Sequence, residues 1–289
     1  MSFWDARFLW EEPMLAAVLA SAMLGYLSFF VVLRRIAFMS AALSQVSGLG
    51  VAVAFLVGSF AGIMPHGETP LWLDPSLWAL LFACLGAAAM ALPARSRRVT
   101  PESAVALAYL GASAFVLLVL ASPRIAQEAH EIGDLLFGNA VVVRRQDLWN
   151  LGFAALLILL VHGVFFRSFL FASFDPDTAR VSGVPVRTVE LVLHLSLAVA
   201  VAVATRALGA LPVFSLLVLP GGAALLFSER LRTVLLLAVL IAVSSAAGGY
   251  VLSWTLSLPT GSVMVALGVG IWGVAGLKRL VETRVGHRS

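Results

Sequence analysis

Charge is scarce in this chain: Asp, Glu, Lys and Arg together make up 12% of 289 residues, against 61% hydrophobic residues. With a mean hydropathy of +1.01 there is too little polar surface to cover a water-soluble globule. Cysteine is nearly absent. The single Cys84 lies in an apolar run, which excludes an intrachain disulfide and a cysteine metal cluster. No nucleotide-binding loop, Gly-rich dinucleotide turn or zinc-protease motif occurs, and the polar loops are too short to fold a catalytic domain. The N-terminal stretch carries Asp5, Glu11 and Glu12 against Arg7, without the basic start of a cleavable signal, so the first helix is expected to be retained. The net charge of +4 and isoelectric point near 10.0 reflect arginines in short loops, where they set membrane orientation rather than bind nucleic acid.

What is abundant is apolar sequence. A bilayer core takes about 20 apolar residues per helix, so the chain predicts an all-α, polytopic helical membrane protein. Eight or nine spans are expected in one transmembrane domain over residues 1–289. The expected spans are 13–33, 40–64, 76–92, 101–120, 148–166, 188–205, 206–227, 233–256 and a last one that follows LPTG and ends on Lys278 and Arg279. The second is rich in small residues, Ala41, Ala42, Ser44, Ser47, Gly48 and Gly50, which favour close helix approach. Segment 206–227 contains Gly209, Pro212, Pro220, Gly221 and Gly222 and is expected to be a broken helix. Residues 132–143 are apolar but too short to span, and predict a short re-entrant or interfacial helix. This arrangement leaves Arg7, Arg124, Arg144, Arg145 and Arg206 outside, and the other 14 of the 19 Lys and Arg inside. It predicts N-terminus out and C-terminus cytoplasmic.

Candidate chemistry is sparse. His162 and His194 are the two deep histidines, either able to offer an imidazole to a borderline metal or to bridge helices by a hydrogen bond. Glu128, His130, Glu131 and Asp134 cluster in the 121–147 loop. On a helix Glu131 shares a face with both Glu128 and Asp134, and His130 with Asp134, so the group either holds a divalent cation at an entrance or is a solvated charged loop.

The densest polar feature is FDPDTARVSGVPVR, residues 174–187, between two long apolar segments. Asp175 followed by Pro176 predicts a helix start, with the carboxylate accepting free amides and the proline losing no bond at the first position. Gly183 and Pro185 are expected to stop that helix. Asp177 and Arg180 lie between them, so a partner is expected to grip here; the alternative is a solvated turn.

RRIAFMSAALSQVSGLGVAVAFLVG, LLFGNAVVV, FDPDTARVSGVPVR, LGALPVFSLLVLPGGAALL and LPTG, in this order and spacing, cover nearly the whole chain. Together they resemble the permease subunit of the zinc/manganese/iron family of bacterial ABC importers. The resemblance implies a multi-pass inner-membrane permease that pairs with a second permease copy and binds a cytoplasmic ABC ATPase, where ATP is hydrolysed. It also implies an extracytoplasmic metal-binding protein that delivers a divalent metal ion. It puts Asp175, Pro176, Ala179 and Gly183 at matching positions of the family's coupling segment, with Asp177, Arg180 and Pro185 beside them. Where family members commonly read like GDALSHA, this chain has Ser40 to Val46, with Ala41 at the aspartate position and Gln45 at the histidine position. The expected transport path therefore comprises Ser44, Gln45, His162, His194 and Pro220. An ion-gradient-driven transporter and a degenerate permease that moves no metal stay open as alternatives.

Overall fold

The computed structural model describes residues 7–62, 70–91, 100–123, 125, 143 and 145–286. Its α-helices are α1 (Arg7–Leu33), α2 (Ala37–Ala61), α3 (Pro75–Ala91), α4 (Pro101–Leu120), α5 (Arg145–Val164), α6 (Phe166–Phe174), α7 (Pro176–Val181), α8 (Val186–Leu208), α9 (Ala210–Phe227), α10 (Leu231–Leu256) and α11 (Thr260–Gly286). Eight of them, all but α3, α6 and α7, are long and apolar enough to cross a bilayer. α3 is apolar over 17 residues, the lower limit for a span, so the expected eight or nine are eight long helices and one short one. The short helix expected at 132–143 falls outside the described residues, Val143 apart.

Two bounds differ from expectation. Span five is not continuous to Phe166: the chain turns at Phe165 and begins a separate nine-residue helix, α6. The interruption expected within 206–227 lies at Gly209, whose φ of +87° separates α8 from α9; Arg206 lies in the last turn of α8, and Pro220 lies inside an unbroken α9. Next to the donor that Pro220 lacks, the Gly221 N–H donates to Ser28 Oγ at 2.8 Å, and α9 stays helical through the proline.

The chain forms two compact units, both discontinuous in sequence, and α5 contributes its first half to one and its second half to the other. In the unit of Met1–Ala37, Asn139–Ala155 and Ala207–Ser289, α1 packs on α9 and α10, and α11 closes against those two. Small residues permit the closest approach. A Cβ at Gly221 would lie 2.6 Å from the Ser28 carbonyl oxygen and 2.7 Å from its hydroxyl. The LPTG turn between α10 and α11 is stitched by Ser253, whose hydroxyl donates to the Leu258 carbonyl at 2.6 Å and accepts from the Thr260 hydroxyl at 2.8 Å.

The second unit, Phe38–Gly138 with Leu156–Arg206, is built on α2, α3, α4, α8 and the α6–α7 segment. Its apolar cluster joins Val51, Ala52 and Phe55 of α2 to Ala79, Val116 and Ile125. Gly50 lets α2 lie directly on the backbone of Trp78 and Ala79, where a Cβ would overlap the Trp78 carbonyl. Asp74 starts α3 by accepting the Ser76 N–H at 2.7 Å. Thr100 starts α4 by accepting the Ser103 N–H at 3.2 Å.

Three ion pairs, each within one unit, join residues that the sequence puts on the same side of the membrane. Arg206 meets Asp74 at 3.8 Å and Arg145 meets Glu12 at 3.6 Å, all four expected outside; Arg279 meets Glu229 at 2.8 Å, both expected inside.

Candidate functional site

The polar island folds as sequence chemistry dictates. α7 is six residues long and is held at both ends by short-range bonds. At its start, Asp175 Oδ1 accepts the Thr178 N–H at 2.9 Å, and Oδ2 accepts the Thr178 hydroxyl at 2.5 Å. The Thr178 hydroxyl, and next its amide, hold the Asp175 carboxyl below the usual carboxylate range by favouring its charged form. Pro176 occupies the first helical position.

At its end, Gly183 takes a φ of +84°. Its N–H donates to the Arg180 carbonyl at 3.2 Å while the Val184 N–H reaches back to the Ala179 carbonyl at 3.0 Å. This is the paired closure in which a left-handed glycine satisfies the last carbonyls of a helix. Pro185 then prevents continuation.

Ala179 is fully buried and sets α7 against its own unit, while the residues around it face outward. Arg180 donates to Asp177 at 3.0 Å across one turn of that outward face. Val181, an apolar side chain 90% exposed, stands beside them. Thr178, which makes both bonds to Asp175, is a capping partner not singled out from the sequence, although its place three residues after an Asp-Pro start is the usual one for such a partner.

Of the expected path residues, Ser44, Gln45, His162 and His194 belong to the second unit and Pro220 to the first. Ser44 is buried on α2 with its hydroxyl lacking a hydrogen-bond partner, and Gln45 beside it is partly exposed. His162 of α5 is buried, with Nε2 3.1 Å from Ser196 Oγ of α8 and its ring stacked on Phe169 of α6, centroids 4.2 Å apart. Ser196 commits its own hydrogen to the Val192 carbonyl at 2.8 Å, so it accepts from His162, and Nε2 is the protonated nitrogen. Neither Phe169 nor Ser196 was singled out from sequence, because each acts through a contact made only in the fold.

His194 donates Nδ1–H to the Glu190 carbonyl one turn back, at 2.6 Å, which in the neutral ring leaves Nε2 as the basic nitrogen. Pro220 lies in α9, in the other unit. Among the described residues no group of three or more His, Cys, Asp or Glu comes together to hold a metal ion. His130, Glu131 and Asp134 lie outside the described residues.

Eight apolar helices, with a doubly capped polar helix exposed between two of them, define a polytopic helical membrane protein. The family model described as the ABC 3 transport family matches residues 8–277, and this chain belongs to that family. Among its relatives, the manganese transport system membrane protein MntC of Halalkalibacterium halodurans is 27% identical over 267 residues, covering 92% of this chain and 85% of that protein. The high-affinity zinc uptake system membrane protein ZnuB of Buchnera aphidicola subsp. Schizaphis graminum is 25% identical over 270 residues, covering 92% of this chain and 97% of that protein. A solved structure, PsaBC from Streptococcus pneumoniae in complex with Fab, shares the fold with a TM-score of 0.77 at 21% identity, covering 92% of this chain and 90% of that one.

Proposed function

We propose that this chain is the permease subunit of an ATP-driven importer that moves a divalent metal ion across the bacterial inner membrane. It has no hydrolytic role itself: a separate cytoplasmic ATPase supplies the energy, an extracytoplasmic binding protein delivers the ion, and a second permease copy completes the pore. The N-terminus lies outside and the C-terminus in the cytoplasm. Family membership supports the transporter class, and the manganese and zinc relatives support the cargo.

The observation that carries the reading is α7. A six-residue helix closed at both ends, exposed, and presenting Asp177, Arg180 and Val181 is suited to seat in a groove of the ATPase and to carry the groove's movement into α8 as a rigid body. Residues 174–187 are therefore the coupling segment, with Asp175, Pro176, Gly183 and Pro185 shaping it and Ala179 seating it. Ser44, Gln45, His194 and Pro220 are the path residues of this reading. His162, its Nε2 proton engaged by Ser196, serves it best as a packing residue.

The experiment is uptake of manganese, zinc and iron in cells that co-express this chain with its ATPase and binding protein, alongside co-purification of the ATPase. ATPase-dependent uptake of one metal supports the importer. Loss of ATPase binding in Asp177→Ala with Arg180→Ala, while the chain stays folded, supports the coupling role. Unchanged binding and uptake in that double variant sinks the assignment of the segment.

A further inference from the structure

α6 carries a feature that metal transport does not use. Arg167, Phe171 and Phe174 follow one another at i, i+4 and i+7, so they share one face of the helix, and all three are exposed. Phe171 is 36% and Phe174 53% exposed. The opposite face, Phe169 and Ala172, is buried in the helix's own unit, with Phe169 under His162.

α6 starts one residue after α5 ends. Leu156, Leu160 and Val164 of α5, each four residues from the next, are 57%, 58% and 76% exposed, as expected for the outer surface of a span. Phe165, itself 53% exposed, is the one residue between the end of that span and the start of α6. A guanidinium next to two aromatic rings at the end of a span suits the headgroup layer, where the cation meets phosphate and the rings enter the acyl boundary. A protein partner is less well matched, because the stripe begins within three residues of the end of a span, at the depth of the headgroups.

We propose that α6 is an interfacial helix whose Arg167–Phe171–Phe174 face rests on anionic phospholipid in the leaflet where α5 ends. It thereby sets the height at which α7 is presented. This rests on the membrane-spanning reading of α5.

The test uses the full chain with Cys84→Ala, carrying a nitroxide on a single cysteine at Leu160→Cys, Phe171→Cys, Phe174→Cys or Asp177→Cys. The chain is placed in nanodiscs of phosphatidylethanolamine with phosphatidylglycerol, and collision with oxygen is compared with collision with a water-soluble nickel chelate. The expected oxygen-to-nickel ratio at 171 and 174 is several-fold that at 177 and close to that at 160. Arg167→Glu should lower the ratio at 174 in these discs and leave it nearly unchanged in phosphatidylcholine alone. Water-like ratios at 171 and 174 with a lipid-like ratio at 160 overturn the interfacial helix alone, whereas a water-like ratio at 160 as well overturns the spanning reading of α5. Collisions at 171 and 174 that are lost with both reagents on adding the ATPase assign the stripe to that protein and overturn the proposal.

Discussion

Ser28 and Gly221, 193 residues apart in the chain, share one hydrogen bond: the Gly221 amide donates to the Ser28 hydroxyl at 2.8 Å. Pro220 removes one donor from the helical ladder of α9 at this point, and the serine on α1 accepts from the amide that follows it. Ser28→Ala leaves a buried donor without its partner and is expected to cost about 1–3 kcal/mol. Where the proline is what turns this amide toward the serine, Pro220→Ala returns it to the helical ladder and the same serine substitution should cost much less. Thermal unfolding of the four variants as a double-mutant cycle measures this; additive costs would show that the bond does not compensate for the proline.

Gly183→Ala isolates the closing turn of α7. The glycine has a φ of +84° and no atom lies within 4 Å of the Cβ site, so the penalty comes from the backbone alone, about 1–2 kcal/mol. Faster amide exchange in residues 176–181 and weaker ATPase co-purification are expected together. Exchange that speeds up with ATPase binding unchanged would separate the helix from the partner.

The Asp175 carboxyl titrates below its usual range because Thr178 bonds its charged form. A depressed folded-state value means that the cap contributes fully above the ordinary carboxylate range and is lost as pH falls through the lowered value. Amide exchange of α7, corrected for intrinsic rates, should therefore be flat from about pH 5 to pH 8 and rise only below about pH 4. Asp175→Asn should remove that acid dependence; a midpoint near neutrality would point to another group.

His162→Ala removes a buried ring from between Phe169 and Ser196, and buried large-to-small changes cost about 2–5 kcal/mol. The unfolding midpoint should fall while uptake per folded molecule is retained. His194→Ala tests the other histidine, whose basic nitrogen is Nε2. Loss of uptake without loss of stability there identifies a path residue, and the reverse pattern at the two positions would exchange their roles.

How much of this was legible beforehand depended on the range of the interaction. Asp175, Pro176, Gly183 and Pro185 act within four residues of themselves, and α7 begins and ends where they predict. The spans follow from apolar length. α6 was hidden because FRSFLFASF continues the apolar run of α5, and the turn at Phe165 uses neither glycine nor proline. Proline and glycine in 206–227 pointed to an interruption, yet only Gly209 makes one, and α9 stays helical through Pro220. That His162 bridges helices by a hydrogen bond was one of the two readings the sequence left open, but its partners were out of reach, because they come from two other helices.

The two closures of α7 also bear on how fast a partner can be engaged. A segment that ordered only on contact would meet its groove as an ensemble, and part of the interaction would be spent on folding. Here the Asp175 cap and the Gly183 turn are already made in the chain alone. On the proposed coupling role, association with the ATPase then needs orientation but no folding step, which favours an encounter rate typical of preorganised surfaces and leaves the lifetime of that complex to the outward side chains.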